Sequence, residues 1–274
     1  MRTLAHRVSG ILSVLIVAMV IPVWAADTDL KGALEEIRKM GGEIAFREGS
    51  PQEVTFGCHS RPTEAGLNHL RALKDLQTLS CGPALTDAQL GVLGELGSLQ
   101  SLEINAGKVT DKGLKHLKAL TKLQSLTLFH RSYTAEGLND LLKALGNLRH
   151  LELEESTLPD GGLRCLAQLS SLQSLYIGEC KVTAKGLAEL RGLKDLRTLS
   201  LYEYVGNDAG LENLKGLTNL ESLNIAGRKI TDAGLEHLKG LTKLRALNLT
   251  GSAVTETGVK RLRDALPQIE IRIH

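Results

Sequence analysis

Leu220 to Val254 reads LESLNIAGRKITDAGLEHLKGLTKLRALNLTGSAV, and its spacing decides the fold. Leu220, Leu223 and Ile225 return as Leu244, Leu247 and Leu249, a shift of 24 residues. Between the two sets lie Thr231-Asp232-Ala233-Gly234-Leu235, then Leu238 and Leu241. A fixed period between about 20 and 50 residues marks a stack of self-similar turns. Leu223 and Ile225 alternate with period two, as on a strand with one buried face, whereas Leu235, Leu238 and Leu241 recur at helical spacing. Thr231 or Asp232 stands where a helix N-cap belongs, its side-chain oxygen accepting from the free amides of the first turn. Each turn therefore reads strand, loop, short helix, loop. The expected class is α/β: a right-handed solenoid with a parallel sheet on its concave face and short helices on its convex face.

The same pattern extends outward in both directions. Strand leucines begin at Leu76, Leu99, Leu123, Leu148, Leu172, Leu196, Leu220 and Leu244, at intervals of 23 to 25 residues. Val54 and Phe56 mark an earlier degenerate turn, and Ile269, Ile271 and Ile273 a closing strand after Pro267. A single turn has more backbone to order than apolar surface to bury, so the array is expected to fold as a coupled unit. Ahead of it, Leu30, Ala33, Leu34, Ile37 and Met40 share one helical face that ends at Gly41-Gly42. Ile44-x-Phe46 and Val54-x-Phe56 then read as strands around the turn at Glu48-Gly49-Ser50-Pro51. Residues 26–52 are thus expected to cap the open edge of the first repeat, and 53–274 to form the repeats with their closing strand.

Residues 1–25 stand apart. Arg2, His6 and Arg7 precede an apolar run from Gly10 to Ile21, and Val23-Trp24-Ala25 places small residues at the cleavage-determining positions. This is the pattern of a secretory signal peptide, and the run is shorter than the roughly 20 apolar residues of a membrane span. The chain carries +2 overall, and without Arg2 and Arg7 its basic and acidic side chains are equal in number. That balance offers no general attraction to nucleic acid or anionic lipid. Cys58, Cys81, Cys165 and Cys180 match no zinc spacing, and either disulfides or free thiols fit their positions. Gly66, Gly113, Gly137, Gly162, Gly186, Gly210, Gly234 and Gly258 each follow the capping position by three residues. Glycine costs a helix about 1 kcal/mol relative to alanine, so close helix-to-helix approach is the expected reason for it.

The motif L-x-x-L-x-L, a turn, and then [VI]-T-D-x-G-L-x-x-L resembles the leucine-rich repeats of the cysteine-containing class, found in F-box substrate receptors and in exported bacterial proteins. Leu175-Tyr-Ile-Gly-Glu-Cys180-Lys-Val-Thr183 comes nearest to that class; elsewhere the cysteine position holds Gly107, Arg131, Ser156, Tyr204, Arg228 and Ser252. The resemblance covers the chain after its leader and implies a binding scaffold without catalytic machinery. No F-box-like segment precedes the repeats, and the leader points to the cell envelope or the exterior.

Strand alternation then locates a candidate site. Facing outward between the leucines are Ser80, Glu103, Thr127, Glu152, Tyr176, Ser200, Asn224 and Asn248. The next column holds Phe129, Glu154 and Tyr202, and a third holds His130, Glu155, Glu179 and Glu203, with Tyr204 in the adjoining loop. Aromatic residues are only 3% of the chain, so their gathering on one face points to interface anchors. Like charges stacked on neighbouring strands are unfavourable on their own and call for a cationic partner. The expected site is therefore Phe129, His130, Glu152, Glu154, Glu155, Tyr176, Glu179, Tyr202, Glu203 and Tyr204, binding a protein or peptide. Tyr133 sits in the inward slot held elsewhere by Val109, Val182 and Ile230 and is expected in the core. No cofactor, metal or nucleic acid is expected. The competing readings are a hydrolytic or metal-dependent site on the same acids, a purely structural envelope protein, and an F-box-like substrate-receptor repeat lacking the F-box.

Overall fold

The computed structural model describes residues 28–82, 85–105, 107–129, 132–154, 160–178, 181–202 and 204–273. The leader at 1–25, His130, Glu155, Glu179, Glu203 and Cys180 lie outside the described residues. Helix α1 (Thr28–Lys39) buries Ala33, Leu34 and Ile37, with Leu30 and Met40 packed at the margin. Strands β1 (Gly42–Arg47) and β2 (Ser50–Phe56) pair antiparallel. Glu48 and Gly49 join them at φ 50° and 82°, the left-handed backbone a two-residue hairpin turn requires. Phe46 lies beyond a register shift in this hairpin and is 36% exposed.

The chain then repeats. Its strands are β3 (Thr78–Cys81), β4 (Leu85–Thr86), β5 (Ser101–Asn105), β6 (Gly107–Lys108), β7 (Ser125–Phe129), β8 (His150–Glu154), β9 (Ser174–Ile177), β10 (Thr198–Leu201), β11 (Ser222–Ile225), β12 (Ala246–Asn248) and β13 (Glu270–Arg272). β4 and β6 form a small ladder of their own, and the other eleven make one open sheet in chain order. From β2 onward every pairing in that sheet is parallel. Leu79, Leu102, Leu126, Leu151, Leu175, Leu199, Leu223 and Leu247 lie in one register row and are all buried. Slipping any strand by one residue would turn its leucines to solvent, which is what fixes the register. Tyr133 is buried in the same core.

The other side of each turn is a short helical segment whose start follows from the Thr-Asp pair. Thr63, Thr86, Thr110, Thr134, Thr183, Thr231 and Thr255 are the N-caps, each accepting from a backbone amide two or three residues on. The aspartate next to the cap reaches instead to the following turn. Asp87 accepts from Thr110 N at 2.8 Å and from Thr110 Oγ1 at 2.6 Å. Asp111 does the same with Thr134, both at 2.7 Å, as does Asp208 with Thr231. Asp232 repeats it with Thr255, at 2.8 and 2.7 Å. The recurrent glycine follows from this ladder: a Cβ at Gly113, Gly137, Gly234 or Gly258 would strike the preceding turn's carboxylate. The helices approach closely here, as the sequence led one to expect, and the atom nearest the missing Cβ is the ladder aspartate's carboxylate.

The ladder is interrupted once where the interruption can be followed. Ala184 replaces the aspartate, and the next cap, Asn207, makes no side-chain capping bond. Tyr204 fills the gap. Its hydroxyl donates to the Asn207 carbonyl at 3.0 Å and lies where a Cβ on Gly210 would be. Among the described residues no helix is long and apolar enough to cross a membrane.

Candidate binding face

Because the strands are parallel and in register, residues 24 or so apart become neighbours about 4.8 Å apart. Glu103, Thr127, Glu152, Tyr176, Ser200, Asn224 and Asn248 form one such row across the open face. Asn105, Phe129 and Glu154 begin a second row beside it. The amides of Gly178 and Tyr202 donate to the carbonyls of Leu153 and Ile177, carrying that row past the ends of β9 and β10.

Around Tyr176 the two rows interlock. The Tyr176 hydroxyl lies within the electrostatic reach of the Glu154 carboxylate. A Cβ at Gly178 would lie 3.0 Å from the Tyr176 ring and 3.1 Å from Glu154 Cγ, so glycine there lets the ring reach the acid. Burial and the neighbouring Glu154 carboxylate, with smaller contributions from Tyr202 and Glu152, raise the Tyr176 hydroxyl above its ordinary pKa. The ring packs on Tyr202 with centroids 5.4 Å apart and planes at 46°. Tyr202 is itself 55% exposed. Partial burial and the neighbouring Glu154 charge raise the Glu152 carboxyl, against a 3.4 Å hydrogen bond donated by Thr127 Oγ1. Two crowded carboxylates thus stand beside two aromatic rings, an arrangement that favours a cation through both charge and ring quadrupole.

Phe129, Glu152, Glu154, Tyr176 and Tyr202 are brought together on this face. Tyr204 is not. It is 3% exposed, turned beneath the loop to plug the interrupted aspartate ladder, and cannot meet a partner on the open surface. The alternation that places Tyr202 outward ends with β10 at Leu201 and does not extend to Tyr204. Among the described cysteines, Cys58 is exposed, Cys81 and Cys165 are buried, and all three are free thiols. Among the described residues no group of three His, Cys, Asp or Glu side chains is placed to hold a metal.

Among the described residues, two depressions that flank the strands stand out, and neither of these two includes Glu152 or Glu154. A polar one of about 400 Å³ lies at the strand-entry edge, among Gln124, Asn147, Arg149 and Gln173. A mostly apolar one of about 520 Å³ lies at the opposite edge, where Tyr204 and Val205 face Gly227 and Gly251 beneath Arg228 and Lys229. Sequence alternation did not reveal the second, since it is built by loop residues; the small residues at 206, 226, 227 and 251 were its only signal.

Residues 216–239 match a family model described as Leucine Rich repeat. Among curated proteins none matches the chain. Among solved structures, an internalin C2 from Listeria monocytogenes is 22% identical, with 91% of this chain and 96% of that chain covered and a TM-score of 0.54. A second internalin from that organism is 16% identical over 92% of this chain and 96% of its own, with a TM-score of 0.45. The matched repeat, the unbroken leucine row and the likeness to the internalin C2 show that this chain has the leucine-rich-repeat fold.

Proposed function

We propose that the protein is an exported, non-catalytic scaffold that binds a protein or peptide partner through a cationic segment laid across Phe129, Glu152, Glu154, Tyr176 and Tyr202. His130, Glu155, Glu179 and Glu203 belong to the same patch by sequence position. The observation that carries the reading is Tyr176, held between the Glu154 carboxylate and the exposed Tyr202 ring on an open sheet face. A pre-positioned aromatic pair beside acids that make no ion pair among the described residues resembles the anchor-and-rim arrangement of protein interfaces. Hydrolysis would need a water-excluding enclosure around the acids, and neither of the depressions flanking the strands includes Glu152 or Glu154. Export rests on the segment before Ala26, with 26–52 as the cap and 53–274 as the repeats.

Affinity capture from the native cells, followed by mass spectrometry, supplies the partner, and N-terminal sequencing of the mature chain should begin at Ala26. With that partner, Tyr202→Ala should weaken binding by about 2 kcal/mol or more. Glu152→Gln with Glu154→Gln should slow association and flatten its salt dependence. Normal binding by Tyr202→Ala would place the interface elsewhere.

A further inference from the structure

The edge of the sheet beyond Tyr202 carries a second feature that the acidic patch does not use. Three consecutive turns contribute to it: Tyr204 and Val205 after β10, Ala226 and Gly227 after β11, and Thr250 and Gly251 after β12. Between them is the mostly apolar depression of about 520 Å³. Its walls are fixed by backbone bonds. Val205 N donates to Val182 O at 2.9 Å, Ile230 N to Gly227 O at 3.0 Å, and Ala253 N to Ile230 O at 2.8 Å. The groove is therefore preformed, which lowers the ordering cost of filling it.

Two observations say what it would hold. Val205 is 45% exposed beside the depression, and with Tyr202 it accounts for two of the three large hydrophobic side chains left exposed among the described residues. The rim has the opposite charge to the acidic patch. Arg228 and Lys229 are exposed there and paired with no carboxylate among the described residues. Other cations of these turns are engaged: Arg197 with Glu221 at 3.2 Å, Lys215 with Glu212 at 3.3 Å and Lys239 with Glu236 at 2.6 Å. An apolar cleft under two free cations complements a ligand with an aliphatic side chain next to a carboxylate.

We propose that this groove binds an extended peptide segment in which aliphatic and acidic residues alternate, the aliphatic side chain entering between Val205 and Gly251 and the carboxylate meeting Arg228 and Lys229. Alternation suits it because successive side chains of an extended chain point to opposite sides. The groove borders the acidic patch at Tyr202 but does not include its acids, since β11 stands three strands, roughly 14 Å, from β8. It does not depend on the function proposed above.

The test uses the mature chain and three fluorescein-labelled heptapeptides, of alternating leucine and glutamate, leucine and lysine, and serine and glutamate, read by fluorescence anisotropy. The leucine–glutamate peptide should bind about tenfold or more tighter than the other two and weaken with salt. Arg228→Glu with Lys229→Glu should lose at least about tenfold for that peptide and turn the preference toward leucine–lysine. Ala226→Leu, which fills the floor, should weaken both leucine peptides. The surface charge reversal keeps the test valid if the Ala226 variant does not fold. Equal binding of all three peptides, or of the charge-reversed variant and its parent, would overturn the proposal. So would binding to anionic lipid vesicles that exceeds peptide binding and vanishes in the same variant, which would make the cations a lipid-contacting edge.

Discussion

Tyr202 and Tyr204 are two residues apart and meet different fates. Tyr202 ends a strand row and stands in solvent against Tyr176, while Tyr204 turns under the loop and replaces a missing carboxylate. Their substitutions should separate accordingly. Tyr204→Ala leaves a void over Gly206, Gly210 and Gly227, and should cost about 3–5 kcal/mol in urea denaturation. Tyr204→Phe removes the bond to the Asn207 carbonyl and should cost about 1 kcal/mol for it. Tyr202→Ala should cost clearly less than Tyr204→Ala, as surface changes do. Because Ala184 occupies the place of the ladder aspartate, Ala184→Asp introduced into Tyr204→Ala should recover part of the loss through the Asn207 amide. If Tyr204→Ala destabilises no more than Tyr202→Ala, the plug role fails.

At the scale of the repeated element, the aspartate ladder gives stability a defined acid dependence. Burial opposes the charge of Asp87, but the hydroxyl and amide of Thr110 and the amide of Gly113 outweigh it, so its pKa is lowered. At Asp232 the Thr255 amide and hydroxyl lower it in the same sense. A carboxylate depressed in the folded state contributes fully above its unfolded value of about 3.9 and loses that contribution as pH falls through the folded one. Asp87→Asn combined with Asp232→Asn should therefore flatten the loss of stability below about pH 4, while costing about 1–2 kcal/mol per site at neutral pH. Glu152 has the opposite sign. Its pKa is raised by burial and by Glu154, so ionisation opposes folding, stability is regained as pH falls through the folded value, and Glu152→Gln should be more stable than its parent at pH 7. The strands, threonine caps and outward rows were legible in the sequence because each follows from a period within one turn. The aspartate's role was less so, because its partner lies 23 residues ahead, at Thr255 for Asp232. Tyr204 and the apolar groove were not legible from alternation at all, since both depend on where a strand stops.

Across the whole molecule, the leucine row makes each turn the template for the next, and the buried thiols can report whether the stack behaves as one unit. Cys81 sits in β3 and Cys165 in the segment Asp160–Gln168, between β8 and β9. Burial, assisted at Cys81 by the charge of Glu103, raises both thiols to about 12. Labelling at neutral pH then requires the structure to open, because the thiolate is the reactive form. In a Cys58→Ser, Cys180→Ser background, the two labelling rates measured against urea give the free energy of opening at two distant places. Stacked turns that cannot stand alone should yield the same opening free energy at both. Leu199→Ala, in β10, truncates a fully buried core side chain and should lower global stability by about 2–5 kcal/mol. Cys81 lies five strands away in the sheet order, far beyond any direct contact with residue 199. A coupled array should nevertheless lose protection at Cys81 by the same amount as at Cys165. If Leu199→Ala accelerates labelling at Cys165 and leaves Cys81 unchanged, the repeats open as independent blocks, and the faces they present to partners are mechanically separate as well.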